Sequence, residues 1–464
     1  MTGENKEVRV RIAPSPTGSL HFGTARTALF NLLFARSKNG KFIIRIEDTD
    51  LERSKKKFEE EILEGFEWLG IKSDETIIRQ SERGEIYEKY LRKLLEEKKA
   101  YFCYCTKEEL TEEKQFMLSQ GLTPKYNGRC LNSPPKDREP QLIRLKVPEK
   151  IINFKDLIRG KVSFDSRLIG DIAIAKNLKT PLYNFAVVID DFEEKITHVI
   201  RGEDHIPNTP KQILIQEVLN IPMPEYAHLP LILNPEGGKM SKRYMETSLL
   251  SFREEGYLPE AMINFMAFIG WHPKEDKEIM SLEEIIKEFS IERVQKGGAI
   301  FNKEKLEWIN SQYLKMMSDE EAGEKIKKFI PKEWAEKKEI FKRAVSSLKE
   351  RLKKISDFKE EANFLFEIPE YEKKMLLWKE TDIKKEEEIL KRIKKIIEEN
   401  TSNRDEKIVA LAEEEGRGEV YWPLRVALSG KKNSPPPLEL LSILGQTESL
   451  SRIERAIEKL KNEK

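Results

Sequence analysis

The chain has 464 residues, with 83 lysine and arginine residues against 82 aspartate and glutamate residues, and a formal net charge of +1 at pH 7. This length is too great for one compact core, so we expect about two to four domains. The balanced overall charge argues neither for nor against an RNA or membrane partner, and any basic surface must be local. Three cysteines are unlike a disulfide framework and no apolar run reaches membrane-spanning length, so we expect a reduced, cytoplasmic protein with no membrane partner.

The first 95 residues alternate strand and helix patterns. Residues 8–12 (VRVRI) alternate apolar and charged side chains and predict a strand. Residues 28–40 (ALFNLLFARSKNG) have apolar positions at helical spacing and end at an Asn-Gly helix stop. Residues 41–48 (KFIIRIED) predict a second strand that ends in acids, including Glu47. This βαβ pattern predicts an α/β fold with a parallel sheet covered by helices.

The pattern changes twice further along the chain. From about residue 96 to 180 the strand patterns are mixed and include all three cysteines, so we interpret this segment as an insertion. Residues 182–191 (LYNFAVVIDD) are predicted to form an apolar strand, and residues 196–205 (ITHVIRGEDH) return to the buried-sheet pattern. Beyond about residue 250 the strand patterns fade, and Lys/Glu-faced helices are predicted for the C-terminal part.

The turn between the first strand and the first helix contains Pro, Gly and Ser, followed by His21 and Thr24 on one helix face. Ligands of parallel sheets gather at the carboxyl ends of the strands, where both this turn and Glu47 are expected. A histidine at the positive end of a helix can donate hydrogen bonds to phosphate oxygens, helped by backbone N–H groups. The alternative is a surface loop with a polar helix start.

Residues 237–243 (GGKMSKR) place three cations, Lys239, Lys242 and Arg243, directly after two glycines. A flexible cationic loop of this kind can close on a triphosphate and stabilise the charge that builds on the leaving pyrophosphate. The segment lacks Walker A spacing, so it is not a P-loop. The alternative is a solvated basic loop.

Taken together, HFGT and KMSKR resemble the paired HIGH and KMSKR signatures of class I aminoacyl-tRNA synthetases. The segments RIAPSPTGSLHFGTAR, IRIEDTD, LYNFAVVIDD, THVIRGEDH and GGKMSKR resemble those of bacterial glutamyl-tRNA synthetases in the same order, and the resemblance covers essentially the whole chain. It implies ATP-dependent attachment of L-glutamate to the 3′ end of tRNA-Glu through glutamyl-adenylate, with Mg²⁺ accompanying ATP and with bound tRNA needed before activation. The implied protein is cytoplasmic and monomeric.

The resemblance also implies a fold and a domain order: a Rossmann-like parallel-sheet catalytic domain with an α+β insertion, followed by an all-α anticodon-binding module. The expected bounds are residues 1–95 and 181–250 for the two halves of the catalytic domain, 96–180 for the acceptor-binding insertion, 251–317 for a helical stem-contact domain and 318–464 for the helical anticodon-binding domain with two subdomains.

Each site residue implied by the resemblance has a chemical reason. An arginine fork grips a carboxylate with two hydrogen bonds, and an acid receives the ammonium group of the amino acid. The implied catalytic residues are His21, Thr24, Lys239, Lys242 and Arg243. The implied glutamate ligands are Arg11, Ala13, Ser15, Glu47, Tyr183 and Arg201. The implied ATP ligands are Pro14, His21, Gly23, Asp204, Met240, Ser241 and Lys242. For each arginine the alternative is a surface salt bridge, which contributes little to stability.

The cysteines predict a structural Zn²⁺ site within the insertion. Cys103, Cys105 and Cys130 are one ligand short of a tetrahedral zinc site. Some relatives of the resembled family complete it with a Cys-x-His pair, which Asn132 breaks here, and others with a tyrosine four residues before the last cysteine, as Tyr126 is here. The alternative is three buried or free thiols.

The tRNA partner depends on the helical module. Asn363 occupies a position where the resembled family has an arginine that helps to exclude the glutamine anticodon. Three alternatives therefore stay open: the protein charges tRNA-Glu alone, both tRNA-Glu and tRNA-Gln, or mainly tRNA-Gln. A glutaminyl-tRNA synthetase would have a strand-rich C-terminal part, and the short paralogue that modifies tRNA-Asp or a small nucleotidylyltransferase would lack the last third. A non-catalytic tRNA-binding paralogue would not need His21, Lys242, Arg11 and Glu47.

Overall fold

A computed structural model of the chain describes residues 7–50, 52–135, 137–238, 248–367, 370–379 and 381–461. The chain divides into two compact units, and the last break between them, at residues 309 and 310, falls within a helix. Unit 1 contains Met1–Glu254 and Pro259–Ile309, and unit 2 contains Glu255–Leu258 and Asn310–Lys464.

The described strands all lie in unit 1. They are β1 (Arg9–Ile12), β2 (Lys41–Ile46), β3 (Ile78–Arg79), β4 (Ala100–Cys103), β5 (Leu142–Leu145), β6 (Ile151–Asp156), β7 (Gly160–Asp165), β8 (Ile172–Asn177), β9 (Thr180–Pro181), β10 (His198–Gly202), β11 (Glu225–Leu229), β12 (Ile232–Leu233) and β13 (Ala299–Ile300).

The described helices occur in both units. Those that begin in unit 1 are α1 (Phe22–Ser37), α2 (Lys56–Trp68), α3 (Gly84–Glu96), α4 (Lys107–Ser119), α5 (Arg129–Asn132), α6 (Tyr183–Glu193), α7 (Thr209–Leu219), α8 (Leu249–Glu254), α9 (Pro259–Phe268), α10 (Leu282–Glu288) and α11 (Lys303–Met316). Those of unit 2 are α12 (Asp319–Ile326), α13 (Lys332–Glu336), α14 (Lys338–Leu348), α15 (Asp357–Phe366), α16 (Ile383–Glu398), α17 (Arg404–Glu415), α18 (Arg417–Ser429) and α19 (Pro437–Lys461), the last with a kink at Gly445. Short 3₁₀ turns cover Gln80–Glu82, Ser166–Leu168, Glu203–Asn208, Ile291–Arg293, Lys349–Arg351 and Lys373–Leu376.

The centre of unit 1 is the predicted parallel sheet. β1 pairs in parallel with β2, β2 with β3, and β10 with β11. The two sets of strands meet because the Thr197 N–H, just before β10, donates to the Arg9 carbonyl at 2.9 Å. β1 therefore lies between β2 and β10. β3 follows beyond β2 on one side of β1, and β11 follows beyond β10 on the other side. Ligands of open α/β sheets bind at such a reversal of strand order.

α1 confirms the predicted strand–turn–helix start. Its residues from Ala28 to Ala35 are buried, because the helix lies between the sheet and other helices. It ends at Ser37, and the predicted Asn-Gly stop follows: Asn39 adopts a left-handed φ of 53°, and the Gly40 N–H donates to the Ala35 carbonyl at 2.8 Å. A side chain at position 40 would collide with the Val8 backbone, since its Cβ would lie 2.3 Å from that carbonyl oxygen, so the turn requires glycine.

The strand predicted for residues 182–191 is wrong. This segment forms α6, whose residues from Phe185 to Asp191 are all buried. A continuous apolar run has the same pattern in a buried strand and in a buried helix, because periodicity disappears when every face is covered. The helix matters for the site, since it carries two buried acids, Asp190 and Asp191, toward the arginines of β1 and β2.

The mixed strand patterns of the insertion are confirmed. β4, β5, β8 and β9 form an antiparallel sheet. β6 pairs with β7 in an antiparallel hairpin and also joins β11 in parallel, where Tyr226 lies opposite Asp156. The expectation that strands fade beyond residue 250 misses β13, which pairs with β12 and is too short to show alternation.

Unit 2 is helical throughout its described residues, as predicted. On α16 the side chains of Ile389, Ile393 and Ile397 recur every four residues and are buried. This spacing places them on one helix face, where they form part of the core. Among the described helices, none combines the length and apolar character that a bilayer crossing requires.

Candidate active site

A cavity of about 770 Å³ opens where the strand order reverses, at the carboxyl ends of β1, β2, β10 and β11. Every described residue that the sequence assigned to catalysis, glutamate or ATP lines it: Arg11, Ala13, Pro14, Ser15, His21, Gly23, Thr24, Glu47, Tyr183, Arg201 and Asp204. Residues from four separate strand ends and two helix starts therefore converge on one cavity.

The cationic loop is described only at its beginning. The Gly238 N–H donates to Asn234 Oδ1 at 2.7 Å and the Gly237 N–H to the Asn234 carbonyl at 2.9 Å, which forms a turn after β12. Gly237 has a φ of 81°, a conformation that favours glycine. The predicted residues of the rest of the loop lie outside the described residues: Lys239, Met240, Ser241, Lys242 and Arg243.

The start of α1 borders the cavity. His21 occupies the N-cap position with extended backbone angles, and its side chain makes no capping hydrogen bond. The imidazole is exposed and lines the cavity together with Gly23 and Thr24. The first-turn N–H groups of a helix carry partial positive charge, so this edge of the cavity favours a negatively charged ligand.

Two buried arginines share one carboxylate beneath the cavity. Arg11 Nε donates to Asp191 Oδ1 at 2.9 Å, and Arg45 Nη1 donates to the same oxygen at 2.8 Å. Arg45 also donates to Glu194 Oε2 at 3.0 Å. Burial raises the pKa of Asp191, but Arg11 and Arg45 outweigh it and hold that pKa below its usual value. The network fixes Arg11 in place at the end of β1.

Glu47 lies at the end of β2 and is 7% exposed. Burial raises the pKa of its carboxyl to about 7, although the neighbouring Arg45 and Arg11 favour the charged form. Glu47 is therefore balanced between the neutral and the ionised carboxyl near neutral pH. A cationic ligand group placed beside it would shift that balance to the carboxylate.

Arg201 projects from β10 and is 6% exposed. Its Nη2 donates to Thr209 Oγ1 at 2.8 Å, and its Nε donates to His228 Nε2 at 3.3 Å. Its remaining nitrogen, Nη1, has no hydrogen-bond partner among the described residues. Because a buried guanidinium N–H without a partner is costly, Nη1 is suited to donate to an anionic ligand in the cavity.

Tyr183 and His205 both line the cavity and form a pair, with the Tyr183 hydroxyl 3.0 Å from His205 Nδ1. Burial lowers the pKa of His205 to about 4, and the positive charge of Arg201 adds to the effect. His205 is therefore neutral at physiological pH, and its contribution to the cavity is a hydrogen-bonding group without charge. In the sequence, His205 stands at the end of a strand pattern that assigns it no role.

Arg26 is a second cavity residue to which no sequence motif assigns a role. It lines the cavity at 3% exposure, and its Nη1 donates to the Pro230 carbonyl at 2.8 Å. The next residue, Leu231, donates its N–H to Glu203 Oε1 at 2.8 Å. These two contacts hold the cavity-lining segment between β11 and β12. A charged residue just before the long apolar run of α1 was the available signal for Arg26.

The three cysteines and Tyr126 meet in one buried cluster. The Sγ atoms of Cys103, Cys105 and Cys130 lie within 4.8 Å of one another. The Tyr126 hydroxyl is 3.6 Å from the Sγ atoms of Cys103 and Cys105 and accepts the Cys130 N–H at 2.9 Å. Three sulfurs and one phenolic oxygen fit the donor set of a four-coordinate zinc ion.

Asn363 lies half-buried near the end of α15 in unit 2. Its Oδ1 accepts a hydrogen bond from Lys431 Nζ at 3.0 Å, and the same ammonium lies 4.9 Å from the centroid of the Phe364 ring. The side chain is thus engaged with a cation from the loop after α18, rather than being only solvated.

Two family models match the chain. One, described as tRNA synthetases class I (E and Q), catalytic domain, matches residues 7–308. The other, described as anticodon binding domain, matches residues 320–457.

Full-length relatives agree with these models. The glutamate–tRNA ligase of Thermodesulfovibrio yellowstonii is 46% identical over 97% of this chain and 99% of its own length, and that of Aquifex aeolicus is 41% identical over 98% and 99%. The crystal structure of a glutamate tRNA ligase from Elizabethkingia meningosepticum in complex with its amino acid is 37% identical, with a TM-score of 0.88 over 98% of this chain and 100% of that chain.

Proposed function

Because the chain belongs to the class I tRNA synthetases for glutamate and glutamine, we propose that its cavity binds L-glutamate and ATP side by side and joins them as glutamyl-adenylate. The activity is that of a glutamate–tRNA ligase, which attaches L-glutamate to tRNA. The single observation that carries the site assignment is the convergence of two buried arginines, Arg11 and Arg201, a buried acid, Glu47, and a helix start at His21 on one cavity.

The amino acid occupies the side of the cavity formed by β1, β2 and β10. Arg11 and Arg201 bind the two carboxylates, since guanidinium groups held by other contacts are pre-oriented for that role. Glu47 binds the ammonium group of the substrate, and Tyr183 lines the cavity beside it. Ala13 and Ser15 contribute the short segment after β1 that borders the substrate.

ATP occupies the side formed by the start of α1 and the segment between β11 and β12. His21 and the first N–H groups of α1 bind the phosphates, with Thr24 and Gly23 on the same edge. Pro14 and Asp204 line the nucleotide side. The family uses ATP with Mg²⁺. Lys239, Met240, Ser241, Lys242 and Arg243 are proposed to close on the triphosphate.

The reaction needs no covalent bond to the protein. A carboxylate oxygen of glutamate attacks the α-phosphorus of ATP, the bond to the β-phosphate oxygen breaks, and pyrophosphate leaves. A terminal hydroxyl of tRNA then attacks the glutamyl carbonyl, and AMP leaves. Fixed hydrogen-bond donors around the α-phosphate stabilise the charge in the transition state, and the two arginines orient the nucleophile.

We propose tRNA-Glu as the tRNA substrate, bound through the helices of unit 2. Asn363 and its partner Lys431 offer an amide and an ammonium at one place, which is the kind of polar surface that reads unstacked bases. Charging of tRNA-Gln, together with or instead of tRNA-Glu, is the alternative. The helical C-terminal part argues against a glutaminyl-tRNA synthetase, whose last part would be strand-rich.

We also propose that the cluster of Cys103, Cys105, Cys130 and Tyr126 holds a structural zinc ion. The fit rests on the donor set and on burial of all three thiols. Burial raises the pKa of the Cys105 thiol to about 11, so this thiol is protonated without a metal, and zinc would displace that proton. The ion would hold the helix α5 and strand β4 together and would take no part in the chemistry.

Three further points stay predictions: the domain bounds given above, a cytoplasmic location and a monomeric state. The division between Ile309 and Asn310 supports a boundary close to the one expected near residue 317.

Pyrophosphate exchange and tRNA charging test the proposal directly. The purified protein is assayed for glutamate-dependent ATP–pyrophosphate exchange with and without tRNA, and for charging of tRNA-Glu and tRNA-Gln with glutamate or glutamine. We expect exchange with glutamate only when tRNA is present, and glutamylation of tRNA-Glu. If the protein shows no ATP–pyrophosphate exchange under any condition, it is a non-catalytic paralogue. If it charges tRNA with glutamine, it is a glutaminyl-tRNA synthetase. Charging of tRNA-Gln with glutamate would extend or replace the proposed tRNA substrate.

A further inference from the structure

Arg201 is held from behind by a buried histidine. His228 on β11 is fully buried, and its Nε2 lies 3.3 Å from Arg201 Nε and 3.0 Å from Thr209 Oγ1. The guanidinium Nε always carries a proton, so it is a donor. The contact is a hydrogen bond only if His228 Nε2 has a free lone pair, which requires the neutral imidazole with its proton on Nδ1.

The other ring nitrogen has a partner that fixes this tautomer. His228 Nδ1 lies 2.6 Å from Asp156 Oδ2, and both side chains are fully or almost fully buried. Burial raises the pKa of Asp156, but His228 and backbone N–H groups outweigh it and keep that pKa below its usual value. Burial also lowers the pKa of His228, in spite of Asp156. An ionised carboxylate can only accept, so it draws the His228 proton to Nδ1.

The two oxygens of Asp156 have different partners. Oδ1 accepts only backbone N–H groups, those of Ile158 at 2.9 Å and Arg159 at 2.8 Å in the turn between β6 and β7, and that of His228 at 3.4 Å. Oδ2 faces His228. If Oδ2 is replaced by an amide nitrogen, Oδ1 still accepts the backbone N–H groups of the turn. Only the contact with the His228 ring is then altered.

We propose that Asp156 and His228 are positioning residues that hold Arg201 in its substrate-binding orientation by fixing the tautomer of His228. The inference rests on the proposed role of Arg201 in binding a carboxylate of glutamate. With Nε engaged by His228 and Nη2 by Thr209, the guanidinium plane is fixed and Nη1 is left to the substrate. β6 belongs to the predicted insertion, so the insertion supplies a side chain that orients the amino-acid site.

The test is the substitution Asp156→Asn. The amide nitrogen can only donate to His228 Nδ1, which forces the ring proton to Nε2, where it opposes the N–H of Arg201. We expect the KM for glutamate to rise about tenfold or more, as is usual for loss of a hydrogen bond to a charged group, and the KM for ATP to stay within about twofold. Asp165→Asn, at the end of β7 and away from the cavity, is the matched control and should change neither constant.

A spectroscopic readout separates positioning from general damage. The chain has five histidines, so the ring nitrogens can be assigned by NMR with nitrogen-15-labelled histidine and a His228→Gln variant. We expect the Nδ1–H tautomer for His228 in the natural protein and the Nε2–H tautomer in the Asp156→Asn protein. An Nε2–H tautomer or an imidazolium in the natural protein overturns the proposal without any need for the variant to fold. A flipped tautomer with an unchanged KM for glutamate overturns it too.

A third variant distinguishes this inference from the role of Arg201 itself. Arg201→Ala should raise the KM for glutamate about a hundredfold, since a buried charged contact is lost. If Arg201→Ala raises the KM for glutamate and Asp156→Asn does not, the positioning role of Asp156 and His228 is wrong, and the proposed role of Arg201 stands. If Arg201→Ala leaves glutamate dependence unaltered, the carboxylate assignment itself is wrong.

Discussion

Glu47 Oε1 lies 3.3 Å from Nη2 of Arg45, and both side chains are buried. A carboxylate beside a guanidinium is normally ionised well below neutral pH, but here the loss of hydration outweighs the attraction and raises the pKa of Glu47 to about 7. Arg45 is shared with Asp191 and Glu194, so its charge is divided among several acids. Glu47 thus retains an unsatisfied preference for a second cation.

The first prediction concerns the pH dependence of glutamate binding. The substrate ammonium binds the ionised form of Glu47, and that form predominates above its pKa, so affinity should rise as pH rises through about 7. From about pH 8 to about pH 6 the Kd for glutamate should increase about tenfold, because the ionised fraction falls from about ten in eleven to about one in eleven. Calorimetry in buffers of different ionisation enthalpy should also detect protons released on binding near neutral pH.

The control is Glu47→Gln, which keeps the shape but cannot ionise. It should bind glutamate weakly and without pH dependence in this range. The neighbouring His205 does not interfere, because its pKa is about 4. Equal affinity of the natural protein at both ends of the range would contradict the assignment of Glu47 to the ammonium group.

The second prediction concerns His21→Ala. The imidazole lines the phosphate edge of the cavity and makes no capping hydrogen bond to α1, so its removal should leave the helix intact. Loss of one donor to transition-state charge should lower ATP–pyrophosphate exchange about a hundredfold. The affinity for tRNA, measured by filter binding, should stay nearly unchanged. Abolished tRNA binding would show that the role of His21 is wrong.

The sequence predicts the residues that face the ligand better than the residues that hold them in place. Arg11, Glu47 and Arg201 follow strand patterns at the ends where ligands gather, and all three line one cavity. Asp191 and His228 are supports whose partners lie 180 and 27 residues away. No local pattern marks such pairs, because the contact exists only after the sheet and α6 have packed together.

The error at residues 182–191 has the same origin. An apolar run that is buried on all sides loses the period that separates helix from strand. Its two acids, Asp190 and Asp191, were the unused signal, since adjacent carboxylates at the end of an apolar segment need buried cations as partners.

The third prediction concerns metal binding by the cysteine cluster. Protein purified without chelator should contain about one zinc per chain, because four donors converge there. Removal of the metal should raise the KM for tRNA and lower the melting temperature, while the KM for glutamate stays unchanged. Tyr126→Phe is the matched variant, since it keeps the ring beneath Arg144 and removes only the hydroxyl. It should bind zinc more weakly than the natural protein. If the protein does not retain added zinc or cobalt, the metal prediction is wrong and the cysteines are three buried thiols.

The fourth prediction concerns Gly270, which adopts a φ of 100° beside Arg26. A Cβ at this position would lie 2.8 Å from Arg26 Nη2, and an L side chain is strained at this φ. Gly270→Ala should therefore displace the guanidinium that holds the Pro230 carbonyl and loosen the cavity-lining segment before β12. We expect the free energy of unfolding to fall by about 1–3 kcal/mol and the KM for ATP to rise several-fold.

Gly297→Ala is the matched control for this substitution. A methyl group at position 297 would meet no other described side chain or backbone atom within 4 Å beyond its chain neighbours, and the φ of Gly297 is unexceptional. The control should therefore change neither the stability nor the KM for ATP. Loss of stability in Gly270→Ala without any change in the KM for ATP would mean that Arg26 supports the fold alone, and not the nucleotide side of the cavity.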